Sequence, residues 1–195
     1  MKTVIVIPEK CVGCKQCLIA CAVEHSQSKN LFVALSEQVQ PRPRLQVYAG
    51  TQHFAFVNKC RHCDPAPCQL VCMPGAISHD PVRGTTDIDP QRCISCGMCA
   101  MACPFGVLRY APTAAAPEKK SVALKCDQCP DREREGRPPA CVEACKVGAL
   151  VYGTLEEAMA RKGLRVAKAV FASLQGTEGI GTAVPPLVRL WRQLP

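Results

Sequence analysis

Aromatic side chains make up only 5% of this 195-residue chain, with one tryptophan, three tyrosines and five phenylalanines. Seventeen prolines interrupt it as well, so the side chains alone describe a thin core. Long apolar runs are also lacking. No stretch approaches the roughly 18 residues of a membrane span, and neither a spanning helix nor a C-terminal membrane anchor is expected. The start, Met1 to Pro8, is a short β-like run with one lysine, without a twin-arginine pair or a long apolar segment. It does not read as an export signal, and a cytoplasmic location is expected. There is no nucleophile–base pair, phosphate loop or dinucleotide fingerprint. The chain is therefore not expected to do chemistry on an organic substrate by itself.

What the chain has instead is cysteine. Sixteen fall into four groups of four with none left over: Cys11, Cys14, Cys17, Cys21; Cys60, Cys63, Cys68, Cys72; Cys93, Cys96, Cys99, Cys103; and Cys126, Cys129, Cys141, Cys145. Each group ends in C-x3-C, and the first and third read C-x2-C-x2-C-x3-C, the run that supplies thiolates to [4Fe–4S] clusters. A C-x2-C-x2-C loop is short enough to wrap three corners of one cube. The fourth cysteine, about one helical turn further on, points away and can reach a second cluster. Four [4Fe–4S] clusters, with all sixteen cysteines as iron ligands, is the arithmetic reading. A disulfide framework suits secreted chains and is disfavoured by the compartment. Zinc is the stronger rival for the last group alone, whose C-x2-C-x11-C-x3-C would pass for a tetrahedral four-thiolate site.

The chain repeats itself around these groups. An apolar or β-branched stretch leads into each first cysteine: VIVIPEKC, FAFVNKC, TTDIDPQRC and SVALKC. Three copies close alike, with MPGAI (Met73 to Ile77), PFGVL (Pro104 to Leu108) and KVGAL (Lys146 to Leu150). The repeating unit reads as strand, cluster loop, short helix carrying the fourth cysteine, glycine turn, strand. Only the first copy lacks the glycine turn. It runs on from Cys21 through AVEHSQSKN into a long connection, as expected if one unit is interrupted by another.

On these motifs the stretch from Val4 to about Tyr152 resembles the four-cluster, ferredoxin-like electron-transfer subunits of multi-subunit redox enzymes. That family includes the iron–sulfur subunits of formate dehydrogenases and dimethyl sulfoxide reductase-type enzymes. The segments CVGCKQCLIACAVEHS and KCRHCDPAPCQLVCMPGAI are most similar to its soluble polyferredoxins, which serve tungsten aldehyde oxidoreductase, carbon monoxide dehydrogenase and hydrogenases. The resemblance implies an α+β fold of two bacterial dicluster ferredoxin-like units, one inserted in the other, with short β hairpins and a C-terminal helical extension. Residues 1–30 and 120–153 would form the outer unit, 31–58 a connecting hairpin, 59–112 the inner unit, and 154–195 a helix and docking tail.

The resemblance also implies how ligands are shared. One cluster would sit on Cys60, Cys63, Cys68 and Cys103, and its neighbour on Cys93, Cys96, Cys99 and Cys72. In the outer unit the sets would be Cys11, Cys14, Cys17 and Cys145, and Cys126, Cys129, Cys141 and Cys21. Function follows as an expectation: relay of single electrons between a catalytic subunit and another acceptor. The catalytic partner would be a molybdenum, tungsten or nickel–iron oxidoreductase, with a flavin- or ferredoxin-linked subunit as a further partner. A structural or oxygen-sensing iron–sulfur protein is the alternative.

The formal charge of +8 would ordinarily point to nucleic acid or anionic membrane. Each oxidised cubane with four thiolates carries about −2, so four clusters cancel about −8 of it. The excess lysine and arginine then serve as counter-charges and docking contacts, and no nucleic-acid partner is expected. The spacer PDREREGRPPA, Pro130 to Ala140, is polar and Pro-rich and reads as a surface loop. Hairpins are expected from Arg44 to Val57, turning at Gly50-Thr51, and from Val107 to Leu124. His62, inside Cys60-Arg61-His62-Cys63, is a candidate donor to a cluster sulfur. Beyond Tyr152, Thr154 and Glu157 form a capping box ahead of a helix that Gly163 would divide. The apolar end, with Leu187, Leu190 and Trp191, either frays or docks onto a partner or a second copy.

Overall fold

The structure, a computed structural model, describes residues 1–50, 55–118 and 121–174, with side chains to residue 171. Its elements in chain order are β1 (Thr3–Val6), α1 (Gln16–Glu24), α2 (Leu31–Ala34), β2 (Gln46–Ala49), β3 (Ala55–Asn58), α3 (Pro67–Leu70), β4 (Ile77–Asp80) and β5 (Thr85–Ile88). There follow α4 (Met98–Ala102), β6 (Arg109–Ala111), β7 (Val122–Leu124), α5 (Pro130–Arg134), α6 (Ala140–Glu143), β8 (Leu150–Gly153) and α7 (Leu155–Leu174). The chain divides into two compact units, 1–152 and 153–195.

In the first unit the strands make four two-stranded ribbons: β1 with β8, β2 with β3, β4 with β5 and β6 with β7. Both expected hairpins form as antiparallel pairs, Gln46 facing Asn58 and Arg109 facing Leu124. The turn of the first, beyond Gly50, lies outside the described residues. Alternation sets its faces: Ala55 and Val57 are buried while Phe56 between them is exposed. The β1–β8 ribbon joins the first and last cysteine groups, continued by Ile7 N donating to Ala149 O at 2.7 Å. Helix α1 packs on α6, and α3 on α4.

The third cysteine of each group, not the fourth, is the one the helix carries in copies two to four. Cys68, Cys99 and Cys141 lie within α3, α4 and α6, while Cys72, Cys103 and Cys145 follow the helix end. These helices are one turn long. The glycine turn predicted behind them stops propagation: Gly75, Gly106 and Gly148 adopt φ of 60°, 58° and 64°. Each donates its N–H to the carbonyl of the preceding fourth cysteine. Only α1, which lacks the glycine, continues past its fourth cysteine, Cys21.

Among the described residues, twenty-six apolar side chains are buried: eight cysteines, ten alanines and eight Val, Leu or Ile, with no aromatic. Eighteen of them gather in three small groups. One centres on Cys93 and Cys99 with Ile77, Leu108 and Val122; the second on Cys17, Cys21 and Cys141 with Val4, Leu45, Val57 and Leu150. The third is a seam of Cys60, Val107 and Cys126, with Cys103 against it.

The spacer after Cys129 departs from the expected surface loop. It folds into α5 and buries Arg132, because that guanidinium finds Glu24 on α1 at 3.1 Å, Glu143 on α6 at 2.5 Å and the Pro138 carbonyl at 2.8 Å. In the second unit the capping box forms as predicted: Thr154 Oγ1 accepts from Glu157 N, and the Glu157 carboxylate accepts from Thr154 N, both at 3.2 Å. Gly163 does not divide the helix. Its neighbours, from Ala158 to Lys162 and on to Arg165, are mostly strong helix formers and carry the glycine through. A Cβ added there meets nothing within 4 Å. Gly163→Ala is expected to stabilise α7 by about 0.5–1 kcal/mol. Amide hydrogen exchange at Arg161 to Arg165 should slow severalfold, and unchanged exchange would contradict a continuous helix. Leu187, Leu190 and Trp191 lie outside the described residues.

Candidate metal centres

The four cysteine loops share a backbone device. Two residues after each first cysteine stands a residue in the left-handed region: Gly13, His62, Ser95 and Gln128, with φ of 69°, 52°, 59° and 62°. Only the first is glycine, and a Cβ there would come within 3.3 Å of Ala55. Left-handed residues in a tight loop turn successive N–H groups to one side, a concavity suited to anions and recurrent at iron–sulfur sites. Backbone donors also reach the sulfurs. His62 N lies 3.4 Å from Cys60 Sγ, Arg44 N 3.2 Å from Cys21 Sγ, Ala123 N 3.4 Å from Cys93 Sγ and Ala149 N 3.2 Å from Cys145 Sγ.

The fold brings the last cysteine of each group beside the first three of another. One cavity is lined by Cys60, Cys63 and Cys68 of the second group with Cys103 of the third. Another is lined by Cys93, Cys96 and Cys99 with Cys72 of the second. Cys17 feels the charges of Cys11, Cys14 and Cys145, while Cys21 and Cys141 each feel Cys126 and Cys129. Burial pushes the Cys17 thiol up to about 11 and, with Asp127 and Cys126 adding, the Cys129 thiol up to about 12. Burial likewise raises Cys21, Cys68, Cys99, Cys126 and Cys141. Such thiols ionise only against a strong Lewis acid, so loading with iron must expel protons.

At the seam the surroundings are cationic. Lys59 and Lys125, each immediately before a first cysteine, are 3% and 4% exposed. Lys59 Nζ donates to Cys60 O at 2.9 Å; Lys125 Nζ donates to Thr86 O and, at 3.4 Å, to Cys126 O. Burial pulls the Lys59 ammonium below its usual range, against the opposing pull of Cys126, Cys60 and Cys141. His62 lies beside them. Burial, then the charges of Lys125 and Lys59, lower it to about 3, so its imidazole is neutral. Its Nδ1 accepts from Thr86 N at 3.1 Å, which leaves the proton on Nε2. That buried N–H has no partner among the described residues. An orphaned donor, buried lysines and convergent cysteines fit a polyanionic sulfur cluster as the missing acceptor.

Sequence reading singled out His62 but missed its neighbours. Asp127, between Cys126 and Cys129, accepts from Cys129 N at 3.0 Å, from His25 Nε2 at 3.1 Å and from Arg44. Burial alone would raise its carboxyl, but His25 and Arg44 outweigh that and hold it well below the usual carboxylate range. The pair Arg44 and His25 thereby ties the long first connection to the fourth cysteine loop. The sequence signal was a lysine or arginine before every first cysteine; nothing in it said that only Lys59 and Lys125 are covered, Lys10 and Arg92 being exposed.

Comparison with known proteins agrees with this chemistry. A family profile described as "4Fe-4S dicluster domain" matches residues 51–155. The thiosulfate reductase electron transfer subunit PhsB of Salmonella typhi is 38% identical over 76% of this chain and 73% of its own length. The electron transport protein HydN of Escherichia coli is 35% identical over 81% of this chain and 93% of its own. An iron-sulfur protein of Rhodospirillum rubrum is 35% identical over 73% of this chain and 77% of its own. Among the described residues no helix is long and apolar enough to cross a membrane. With sixteen cysteines matching the ligands of four [4Fe–4S] clusters, the chain belongs to the 4Fe-4S dicluster ferredoxin-like family of electron-transfer iron–sulfur proteins.

Proposed function

We propose that this chain is the electron-relay subunit of a cytoplasmic oxidoreductase complex, carrying its four clusters in a line. The cluster order would be Cys93-Cys96-Cys99-Cys72, Cys60-Cys63-Cys68-Cys103, Cys126-Cys129-Cys141-Cys21, then Cys11-Cys14-Cys17-Cys145. The observation that carries this reading is the pairing of each group's last cysteine with another group's first three. The packing of Cys60, Val107 and Cys126 into one buried seam supports continuity between the two dicluster halves. When bound, the clusters supply one-electron chemistry; the protein's residues space, insulate and tune them. Catalysis belongs to a partner subunit. A molybdenum or tungsten enzyme is the favoured partner, such as an aldehyde oxidoreductase or formate dehydrogenase, ahead of carbon monoxide dehydrogenase or hydrogenase. A relative named as a thiosulfate reductase subunit supports a catalytic partner of the reductase kind.

Iron counting on double variants tests the sharing. Cys72→Ser with Cys93→Ser disables one cluster if ligands are exchanged, removing about four irons, but two clusters if each group holds its own, removing about eight. Cys60→Ser with Cys72→Ser reverses these numbers. The exchanged pattern is expected. The opposite pattern would overturn both the ligand sets and the linear order.

A further inference from the structure

Lysine is almost never fully buried without a counter-charge, yet both seam lysines are buried. Among the described residues neither ammonium has a carboxylate ion-pair partner; their hydrogen bonds run to the main-chain carbonyls of Cys60, Thr86 and Cys126. Their charge is answered by sulfur, and the answer is crossed. Lys59, from the second group's lead-in, packs at the seam where Cys60 meets the fourth group, and its charge is felt first by Cys126 of the fourth group, then by Cys60 of its own and Cys141 of the fourth. Lys125, from the fourth group's lead-in, lines the cavity of Cys60, Cys63, Cys68 and Cys103 and acts on Cys68. The equivalent Lys10 and Arg92 of the other two copies are exposed, where water screens their charge.

We propose that Lys59 and Lys125 are a reciprocal pair of tuning charges: Lys59 raises the reduction potential of the cluster on Cys21, Cys126, Cys129 and Cys141, and Lys125 that of the cluster on Cys60, Cys63, Cys68 and Cys103. Reduction adds one electron to a cluster that already carries net negative charge. A fixed cation in a poorly screened interior favours the reduced form. Each lysine is thus a positioning residue for the charge of the opposite half. The pair biases the two seam clusters to hold electrons, so that transfer between the halves does not meet its least favourable step at the junction. This inference rests on the four-cluster reading with exchanged ligands.

The test is a mediated redox titration of the full chain by electron paramagnetic resonance, dithionite being the reductant, with iron counted on every sample. Lys59→Met and Lys125→Met are each expected to lower one midpoint potential of the four, and not the same one. The shift should be at least tenfold in the reduction equilibrium, which is about 59 mV for one electron. The double variant should lower both, and Lys10→Met should leave all four in place. Lys59→Gln and Lys125→Gln keep a donor for the carbonyl without the charge, and should reproduce the shift at full iron content. Unchanged potentials at full iron, a shift of one shared couple, or an equal effect of Lys10→Met would overturn the proposal. So would loss of iron in both the Met and Gln variants, which would make the lysines structural. A wild-type chain with fewer than four one-electron couples would instead refute the four-cluster reading itself.

Discussion

Stripping iron from the chain with a chelator under anaerobic conditions is expected to abolish the folded state of residues 1–152 outright. The reason lies in what fills the interior. The buried apolar side chains are mostly alanine and cysteine, with only eight larger aliphatics and no aromatic ring among the described residues. The helices that carry cysteines α3, α4 and α6 are four or five residues long, far below the length at which helices persist alone. The ribbons are two-stranded, and such ribbons are marginal at best in water. Without metal, eight buried cysteines held by no disulfide would leave an interior of small side chains that cannot offset the entropy of ordering the chain. Circular dichroism should show loss of most secondary structure and no cooperative melting for the stripped chain, with recovery on anaerobic iron and sulfide addition. A stripped chain that still melts cooperatively would show that the polypeptide folds by itself. Helix α7, with its own cap and regular helical sequence, would contribute whatever helical signal survives.

Replacing Arg132 with methionine is expected to cost about 3–5 kcal/mol, the range for breaking a buried ion pair by removing one partner. The Arg132 side chain is 6% exposed and Glu24 12% exposed, so Glu24 would keep a charge with little water to receive it and only the half-exposed Lys29, at 3.3 Å, to answer it, which places the cost at the low end of that range. The guanidinium also holds the Pro138 carbonyl and Glu143, so three segments, α1, α5 and α6, lose a common tie. Two of them carry the cysteines Cys17, Cys21 and Cys141. The variant should therefore release iron from the outer half faster than wild type during chelator challenge, with a lower melting midpoint for the loaded protein. Because Glu143 is more than half exposed, the companion Glu143→Gln should cost less, about 1 kcal/mol or below. Equal costs for the two would contradict the assignment of Glu24 as the buried partner.

How much of this could be read from the chain follows from what kind of information each feature uses. Cysteine spacing is local, so the four loops, the glycine turns at Gly75, Gly106 and Gly148 and the capping box at Thr154 were legible. The two hairpins were legible from alternation and turn residues. The spacer from Pro130 to Ala140 was not. Its polarity implied solvent, but Arg132 is buried by partners far away in sequence, at Glu24, and composition cannot foresee a satisfied charge. Gly163 was misleading for the opposite reason: a local penalty of about 1 kcal/mol is outweighed by the good helix formers around it. The covered lysines are the clearest limit. Four basic residues occupy equivalent places before the first cysteines, and only tertiary packing separates the buried Lys59 and Lys125 from the exposed Lys10 and Arg92.

The charge of the whole chain belongs to the same account. A formal +8 on a protein of this size would be a strong field without its clusters, whereas four oxidised cubanes bring about −8. Among the described residues Arg132 is buried against carboxylates, whereas the buried lysines without a carboxylate partner, Lys59 and Lys125, sit at the seam that electrons would cross in the proposed relay.

The most direct test of the four-cluster relay is an anaerobic determination of iron, sulfide and zinc per chain, together with a reductive titration that counts electrons. The account predicts about sixteen irons, an equal amount of sulfide, no tightly held zinc and uptake of about four electrons. About twelve irons with one zinc retained and three electrons accepted would contradict it, reassigning the Cys126 group as a structural zinc site and ending the relay at the seam.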